Sequence, residues 1–572
     1  MSFKEKKLLK GPPIGTDLFI KTVGKYYVDK TLLIKDILDF SAEVLLFTRP
    51  RRFGKTLNMT MLQTFFEKPL DGEDTSHYFK DLQIWQKDEK YRAEQGKRPV
   101  IFITFKDVKF SSYKETSDAI KLLISSEYVR HGELFSSGKL SEQEKNFYNS
   151  IVGNNAPESH WADSFKMLSR MLLRHYGEQV LVLIDEYDAP IQAAYDHGFY
   201  DRMVIFMRNF LSSVLKTNPS LYRGILTGIT RVSKESIFSG LNNIKVNTVF
   251  DKDFCQYFGF TQEEVNEMLD FYELGEKEKA EVKEWYDGYK FGNMDIYNPW
   301  SVLNYLAEDC TARAYWTDTS ANEMVGDMLE DLSRQEISQL EKVLNGGTII
   351  KDIATNIIYP ELKKKSSLVY SLLVQTGYLK SINTVSMDDS YSCELKIPNR
   401  ELYSVYAREI IGRFIDNDDT ATKAISMRNA VLMGDVGYLQ ETISEYLRSS
   451  CSYFDMRRER DYHNFMLGLL VAVSIGYTKS NRESGDGRYD IILMPKKADM
   501  PGIIFELKHH KATKEERGSK AKKASALKLE ALDALAQIER MGYEEELRRK
   551  GVKQIIKYGA AFSGKTVHIE KK

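Results

Sequence analysis

The stretch Thr48–Thr56, TRPRRFGKT, constrains this chain more than any other segment. It follows the apolar run Val44-Leu45-Leu46-Phe47 and precedes the helix-like LNMTMLQTFF at 57–66. An apolar strand, a short loop closing in Gly-Lys-Thr and a helix together form a device that cradles nucleotide phosphates. Backbone N–H groups at the helix N-terminus face the anion, Lys55 can reach the β- and γ-phosphates, and the Thr56 hydroxyl can ligate Mg²⁺. The general loop pattern has a glycine where Arg49 stands, and a side chain at that tight turn restricts φ and crowds the loop. Against that, Pro50, Arg51 and Arg52 add rigidity and positive charge where triphosphate oxygens would lie, with Phe53 and Gly54 completing the loop. Taken alone, the motif also fits a helix that follows a strand by chance.

A second segment narrows the choice. Val180–Ile184 is an unbroken apolar strand that ends in Asp185-Glu186. In such a Walker B arrangement Asp185 would hold Mg²⁺ through water, and Glu186 would orient or deprotonate the attacking water. Two solvated acids at a strand end are the plainer alternative. Both segments, however, stand in the right order at the C-terminal ends of strands, where ligands bind in open α/β sheets. A third strand, GILTGI, runs into Thr230-Arg231, so Arg231 can face a γ-phosphate or simply lie exposed at a strand tip.

Residues 1 to about 250 alternate strand-like segments (43–48, 99–105, 180–184, 224–229) with helical ones, which predicts a parallel sheet covered on both faces. From 251 to 450 the pattern predicts a mostly helical region, with segments near 262–285, 301–307, 325–345, 365–380 and 401–447. Beyond about 450 an αββαβ order follows: a helix at 459–475, strands at 489–495 and 502–508, a helix at 524–541 and a strand near 553–562. The expected domains are therefore 1–250, 251–450 and 451–572. A chain of 572 residues exceeds what one core supports. A net charge of −1 gives no global attraction to nucleic acid, so any such binding must be local. Cys255, Cys310, Cys393 and Cys451 are scattered, which points to thiols in a reducing compartment. No h-region is evident at the N-terminus, and the longest apolar stretch, Met466–Tyr477, is too short to span a bilayer. The expectation is a cytoplasmic protein without a membrane partner.

The last third holds the other candidate centre. Asp490 opens one strand and Glu506-Leu507-Lys508 closes the next, sixteen residues separating the two carboxylates. Residues i and i+2 of a strand share a face, so Glu506 and Lys508 project together. Two carboxylates can bring Mg²⁺ to a scissile phosphate, and Lys508 can position water and stabilise developing charge. Glu-x-Lys alone arises often by chance on amphipathic strands; Asp490 at this distance inside an αββαβ unit is more specific. Lys508–Lys528 carries eight Lys/Arg and two Glu, a loop suited either to phosphate-backbone contact or to plain solvation.

The motifs resemble, over essentially the whole chain, a bacterial AAA-ATPase-like family fused to a C-terminal PD-(D/E)XK nuclease-like domain. The residues that carry this are Tyr27–Thr31 (YVDKT), Arg49–Thr56, Asp185–Asp188 (DEYD), Thr227–Asn243, Trp285–Gly292 (WYDGYKFG), Tyr297–Ser301 (YNPWS) and Thr376–Leu379 (TGYL). RPRRFGKT is the usual form of the loop in that family, so Arg49 departs from the general pattern only. The resemblance implies a P-loop NTPase sheet with a helical extension, a small restriction-endonuclease-like domain, and ATP as the nucleotide. It further implies a role for Gln537 and Tyr543, which resemble a Q…Y feature of one nuclease branch, and an added helix carboxylate at Glu459, which reads equally well as a solvated acid.

The residues predict a nucleotide-binding, nucleotide-hydrolysing core, with ATP as what the resemblance implies, and a Mg²⁺-dependent nuclease that acts on DNA rather than RNA, with homo-oligomers compatible. Two other readings stay open. The nuclease-like domain can bind nucleic acid or a partner without cleaving, or the core can bind ATP without turnover as a switch or scaffold.

Overall fold

The computed structural model describes the chain outside residues 1–2, 71, 232–237, 239–242, 317–335, 337–338, 340–341, 344–346, 358, 363–365, 388–389, 407–419, 451–461, 464, 467–468, 471–475, 485–486, 496–499, 514–515 and 517. It forms two compact units, Met1–Leu402 and Tyr403–Lys572.

The first unit is built on a parallel five-stranded sheet: β1 (Val44–Thr48), β2 (Val100–Thr104), β3 (Val180–Asp185), β4 (Leu221–Gly228) and β5 (Ile244–Asn247) in the order β2-β3-β4-β1-β5. Every residue of β1 and β3 is buried, as strands covered on both faces require. Helix α1 (Lys55–Phe66) leaves the tip of β1 through the arginine-rich loop, and α2 (Glu158–Tyr176) and α3 (Tyr200–Leu215) bury Phe165, Leu168, Phe210 and Leu211 in the same core as Val182 and Ile184. Gly224 of β4 lets α3 close on the sheet, since a Cβ there would stand 2.5 Å from Leu215 Cδ2.

Order β2-β3-β4-β1-β5 places β4 between the loop-bearing strand and the acid-bearing strand. All five C-terminal tips therefore lie on one edge, with Thr48 beside Gly228, Phe47 beside Asn247 and Thr104 beside Asp185.

Residues 251–402 contain helices at Gln262–Phe271, Glu276–Tyr286, Pro299–Ala307 (α4) and Ser366–Gln375, while most of the helix expected at 325–345 lies outside the described residues. They also contain two small antiparallel sheets that the helical periodicity does not reveal. These are β6 (Phe260–Thr261), β7 (Tyr289–Phe291) and β8 (Met294–Tyr297), and β9 (Ile349–Ala354), β10 (Lys380–Ser386) and β11 (Ser390–Lys396).

The second unit carries a mixed sheet in sequence order: β12 (Gly476–Ser484), β13 (Gly487–Pro495), β14 (Gly502–His509), β15 (Ile555–Ser563) and β16 (Thr566–Lys571), with β14 and β15 parallel and the other pairs antiparallel. β12 and β16 add an edge strand on each side of the αββαβ unit expected from sequence. The period of two sorts the core cleanly. Ile491, Leu493, Ile503, Phe505 and Leu507 face a layer that includes Val431, Leu439, Ile443 and Leu447. Ile492, Met494 and Ile504 face α5 (Lys520–Arg540), through Leu535 and Ile538. Even-numbered residues of β13 and β14 thus look toward α5, and Asp490, Glu506 and Lys508 are all even-numbered.

No helix among the described residues is long and apolar enough to cross a membrane.

Candidate functional sites

In the first unit the arginine-rich loop turns through two left-handed residues, Arg52 (φ 69°) and Gly54 (φ 78°), before α1 begins. Arg49 does not crowd this turn. Its side chain leaves the loop, is wholly buried, and donates from Nη1 to the carbonyls of Thr48 and Asn247, both at 2.8 Å, and from Nη2 to Asn247 Oδ1. The guanidinium also lies 5.1 Å from the ring centre of Phe258 and 5.4 Å from that of Phe291. Burial lowers its pKa to about 10, with Asp251 opposing. Phe53 is likewise buried, its ring packing on Tyr289 and Phe291 at 4.9 and 5.1 Å between ring centres. Arg51 approaches Gln192 at 3.4 Å, and Arg52 stacks on Trp300 at the start of α4, 3.9 Å from the ring centre.

Lys55 folds back over the loop, its Nζ donating to the carbonyls of Arg49 (3.1 Å) and Pro50 (3.0 Å). Burial lowers its pKa, while Glu186, Asp185 and Asp188 favour the charged form and Arg51 disfavours it. Thr56 Oγ1 donates to Asp185 Oδ2 at 2.8 Å, so the loop and the end of β3 are directly joined. Asp185 is fully buried and also accepts from Thr104 (3.1 Å) and from Thr227. Burial, with Glu186 beside it, raises its pKa against the pull of the Thr227 and Thr56 hydroxyls and Lys55.

Glu186 bends the chain at a left-handed φ of 50°, and its N–H donates to Thr227 Oγ1 at 3.3 Å. Asp188 is a structural acid. Its Oδ2 accepts from the N–H groups of Ile229 (3.0 Å) and Thr230 (2.8 Å) and from the Thr230 hydroxyl, across Gly228, where a Cβ would collide with Tyr187 and Asp188. Arg231 follows β4 by three residues. Its carbonyl accepts from Ile357 N–H at 2.9 Å, and its Nε is buried without a hydrogen-bond partner among the described residues. Burial lowers its pKa, and the groups that favour its charge are Tyr187 and Asp251 rather than Asp185 or Glu186. Residues 232–237 and 239–242 of the motif that follows lie outside the described residues.

Thr104, Thr227 and Asn247 were not singled out from sequence. A signal for the threonines existed: the runs VIFIT and GILT both end an apolar strand in Thr, as LLFT does before the loop.

In the second unit the β13–β14 ladder runs from Leu493↔Ile503 to Ile491↔Phe505 and stops one step short of the Asp490/Glu506 position. There side chains replace the ladder. Asp490 N–H donates to Glu506 Oε2 at 3.3 Å, and Leu507 N–H donates to Asp490 Oδ2 at 2.8 Å. Lys508 Nζ donates to Gln537 Oε1 at 2.5 Å, while Gln537 Nε2 donates to Glu506 Oε1 and to Tyr543 Oη, the latter at 3.2 Å. One amide on α5 therefore ties the lysine to the carboxylate. Gly559, opposite Glu506 on β15, allows this approach, because a Cβ there would run into the carbonyl of Ala531 on α5. His463 is nearly buried and contacts Asp490 O at 3.1 Å, a packed position on the backbone. Glu459 lies outside the described residues. Among the described residues no group of three or more His, Cys, Asp or Glu side chains gathers as a metal cage.

Residues 13–238 match the family model described as a predicted AAA-ATPase, and residues 457–572 match that of the PD-(D/E)XK nuclease superfamily. The chain carries an AAA-ATPase-like domain and a PD-(D/E)XK nuclease-superfamily domain. The AAA-ATPase-like match takes in β1 to β4 with Lys55, Thr56 and Asp185, and the nuclease-superfamily match takes in β12 to β16 with Asp490, Glu506 and Lys508. The chain is also 26% identical, over 446 residues covering 76% of its own length and 77% of the relative's, to an uncharacterized protein in the vnfD 5′ region of Azotobacter chroococcum mcd 1. No solved structure matches it.

Proposed function

We propose that the AAA-ATPase-like domain binds and hydrolyses ATP with Mg²⁺, and that the nuclease-superfamily domain cleaves DNA phosphodiester bonds with Mg²⁺. The observation that carries the first half is the Thr56–Asp185 contact at 2.8 Å, with the neighbouring Lys55 donating to two carbonyls of the same loop. Hydroxyl and carboxylate oxygens suit a hard divalent cation, which when bound supplies charge neutralisation to the β- and γ-phosphates. Lys55 would exchange the Arg49 and Pro50 carbonyls for phosphate oxygens, and Arg51 and Arg52 would add positive charge at the loop. Glu186 would take the proton from water as its oxygen bonds to the γ-phosphorus and the bond to the bridging oxygen breaks, its electron pair leaving with ADP. Arg231, just beyond β4, would offset charge in the transition state.

In the second unit Asp490 and Glu506 would hold Mg²⁺ and Lys508 would position the attacking water, with Gln537 fixing the distance between lysine and carboxylate. Two carboxylates fit a Mg²⁺ ion that keeps most of its water shell. The basic segment 508–528 supports contact with the phosphate backbone, and homo-oligomers and the division into 1–250, 251–450 and 451–572 belong to the same proposal. A second reading, binding without cleavage, draws support from the engagement of Asp490 Oδ2 and of both Glu506 oxygens in internal hydrogen bonds.

Plasmid DNA incubated with the full chain and Mg²⁺ separates the two. Nicking that is lost with EDTA, and that falls about 100-fold or more in Asp490→Ala and Lys508→Ala, is expected. Retained DNA binding without any Mg²⁺-dependent nicking selects the second reading.

A further inference from the structure

Beyond the loop lysine, another lysine stands at the mouth of the same site. β2 ends in Thr104, opposite Asp185 of β3, and the chain there is fastened to that acid twice: Thr104 Oγ1 donates to Asp185 Oδ2 at 3.1 Å and Phe105 N–H donates to the Asp185 carbonyl at 3.0 Å. Phe105 and Val108 are buried, so the turn between them is held at both ends. Lys106 projects from this turn and pairs with Asp17, Nζ to Oδ2 at 2.6 Å, with both side chains about half exposed.

Asp17 is anchored to the other half of the site. Its carbonyl accepts from Thr60 Oγ1 at 2.9 Å, and Phe19 N–H donates to the same hydroxyl at 3.1 Å; Thr60 lies on α1, the helix that the phosphate loop opens. The ion pair therefore joins a turn fastened to Asp185 with a segment fastened to α1, the helix that begins at Lys55. Lys106 also lies within the electrostatic reach of Glu186, which favours its charge, and of Arg52, which opposes it, and Asp17 offsets Arg52 as well.

We infer that Lys106 is a second phosphate-binding lysine of the nucleotide site, held by Asp17 until it exchanges that carboxylate for the γ-phosphate of the incoming nucleotide. This rests on the nucleotide-binding reading proposed above. A half-exposed ion pair is weak and readily exchanged, whereas a terminal phosphate carries more charge than one carboxylate. Contact with the γ-phosphate lets Lys106 offset the charge on its oxygens during transfer. A lysine from the turn after β2, supplied within the chain, thereby adds positive charge at the γ-phosphate. Being made only to the γ-phosphate, the contact distinguishes ATP from ADP.

The test uses the full chain with Mg²⁺, comparing wild type with Lys106→Ala, Lys106→Arg and Asp17→Asn. Calorimetry measures affinity for ADP and for a non-hydrolysable ATP analogue, and steady-state assays measure hydrolysis. Lys106→Ala is expected to lower kcat about 10- to 100-fold and weaken the analogue several-fold while leaving ADP affinity within about twofold. Lys106→Arg should restore most of both, and Asp17→Asn should tighten the analogue. Equal effects of Lys106→Ala on ADP and analogue, or no effect on either, overturn the inference. A wild-type protein that binds the analogue but does not hydrolyse it removes the turnover claim alone, and the analogue-against-ADP comparison still decides on Lys106. A wild type that binds neither nucleotide overturns the parent reading and this inference together.

Discussion

At the scale of single residues, Arg49 shows most plainly what the chain does with an unusual loop. Read in sequence, it sits in a position that wants glycine. Folded, it belongs to β5: its guanidinium is spent on Asn247, 198 residues away, and on an aromatic wall. No local pattern announces such a long-range partner, so the loop motif was legible and the direction of this side chain was not. Restoring the general pattern with Arg49→Gly should therefore harm the protein. It leaves a cavity and strands the buried Asn247 acceptors, at a cost of about 3 kcal/mol. A urea melt in which the variant is as stable as wild type contradicts this account of the site. Lys55, Thr56, Asp185, Glu506 and Lys508 were each readable from residue type and spacing, because each lies close to a strand or helix end, and Asp490, within β13, from its distance to Glu506. Gln537 was suggested only by resemblance, since its role depends on how α5 lies over β14.

At the scale of elements, legibility followed hydrophobic run length. β1, β3 and β14 are continuous apolar runs and could be placed to within a residue or so, whereas β6, β7 and β8 are only two to four residues long and carry no period of their own. Tight packing between elements was also invisible until the fold was known. Gly559→Val should push α5 away from β15 and pull Gln537 off Glu506 and Lys508, abolishing Mg²⁺-dependent nicking as well as lowering the melting temperature of the unit. A variant that keeps wild-type nicking rules out the positioning role assigned to this helix.

A different element contact predicts a pH effect in the first unit. Glu401 is fully buried and accepts from Tyr315 N–H (2.7 Å), Trp316 N–H (2.8 Å) and Ser301 Oγ of α4 (2.7 Å). Burial pushes its carboxyl from an ordinary 4.5 up to about 7, against those hydrogen bonds. The folded form thus holds this proton more tightly than the unfolded form. Its contribution is complete below pH 4.5 and is lost as pH rises to 7, about 3 kcal/mol in all. Glu401→Gln, which keeps the acceptor for both N–H groups, should flatten stability across that window; an unchanged pH profile in the variant removes Glu401 as the source.

At the scale of the whole molecule, the account is that two oxygen-lined centres, one in each compact unit, both take divalent cation, the first together with a triphosphate. The alternation of strands and helices made the first unit's sheet readable from sequence, and the Asp490 to Lys508 spacing marked the second. The decisive measurement is an anomalous-difference map from crystals of the full chain grown with Mn²⁺ and a non-hydrolysable ATP analogue. Peaks beside Thr56 and Asp185, next to the analogue's phosphates, and between Asp490 and Glu506 are the predicted result. A map with the analogue bound away from Lys55, or with no manganese between Asp490 and Glu506, contradicts it.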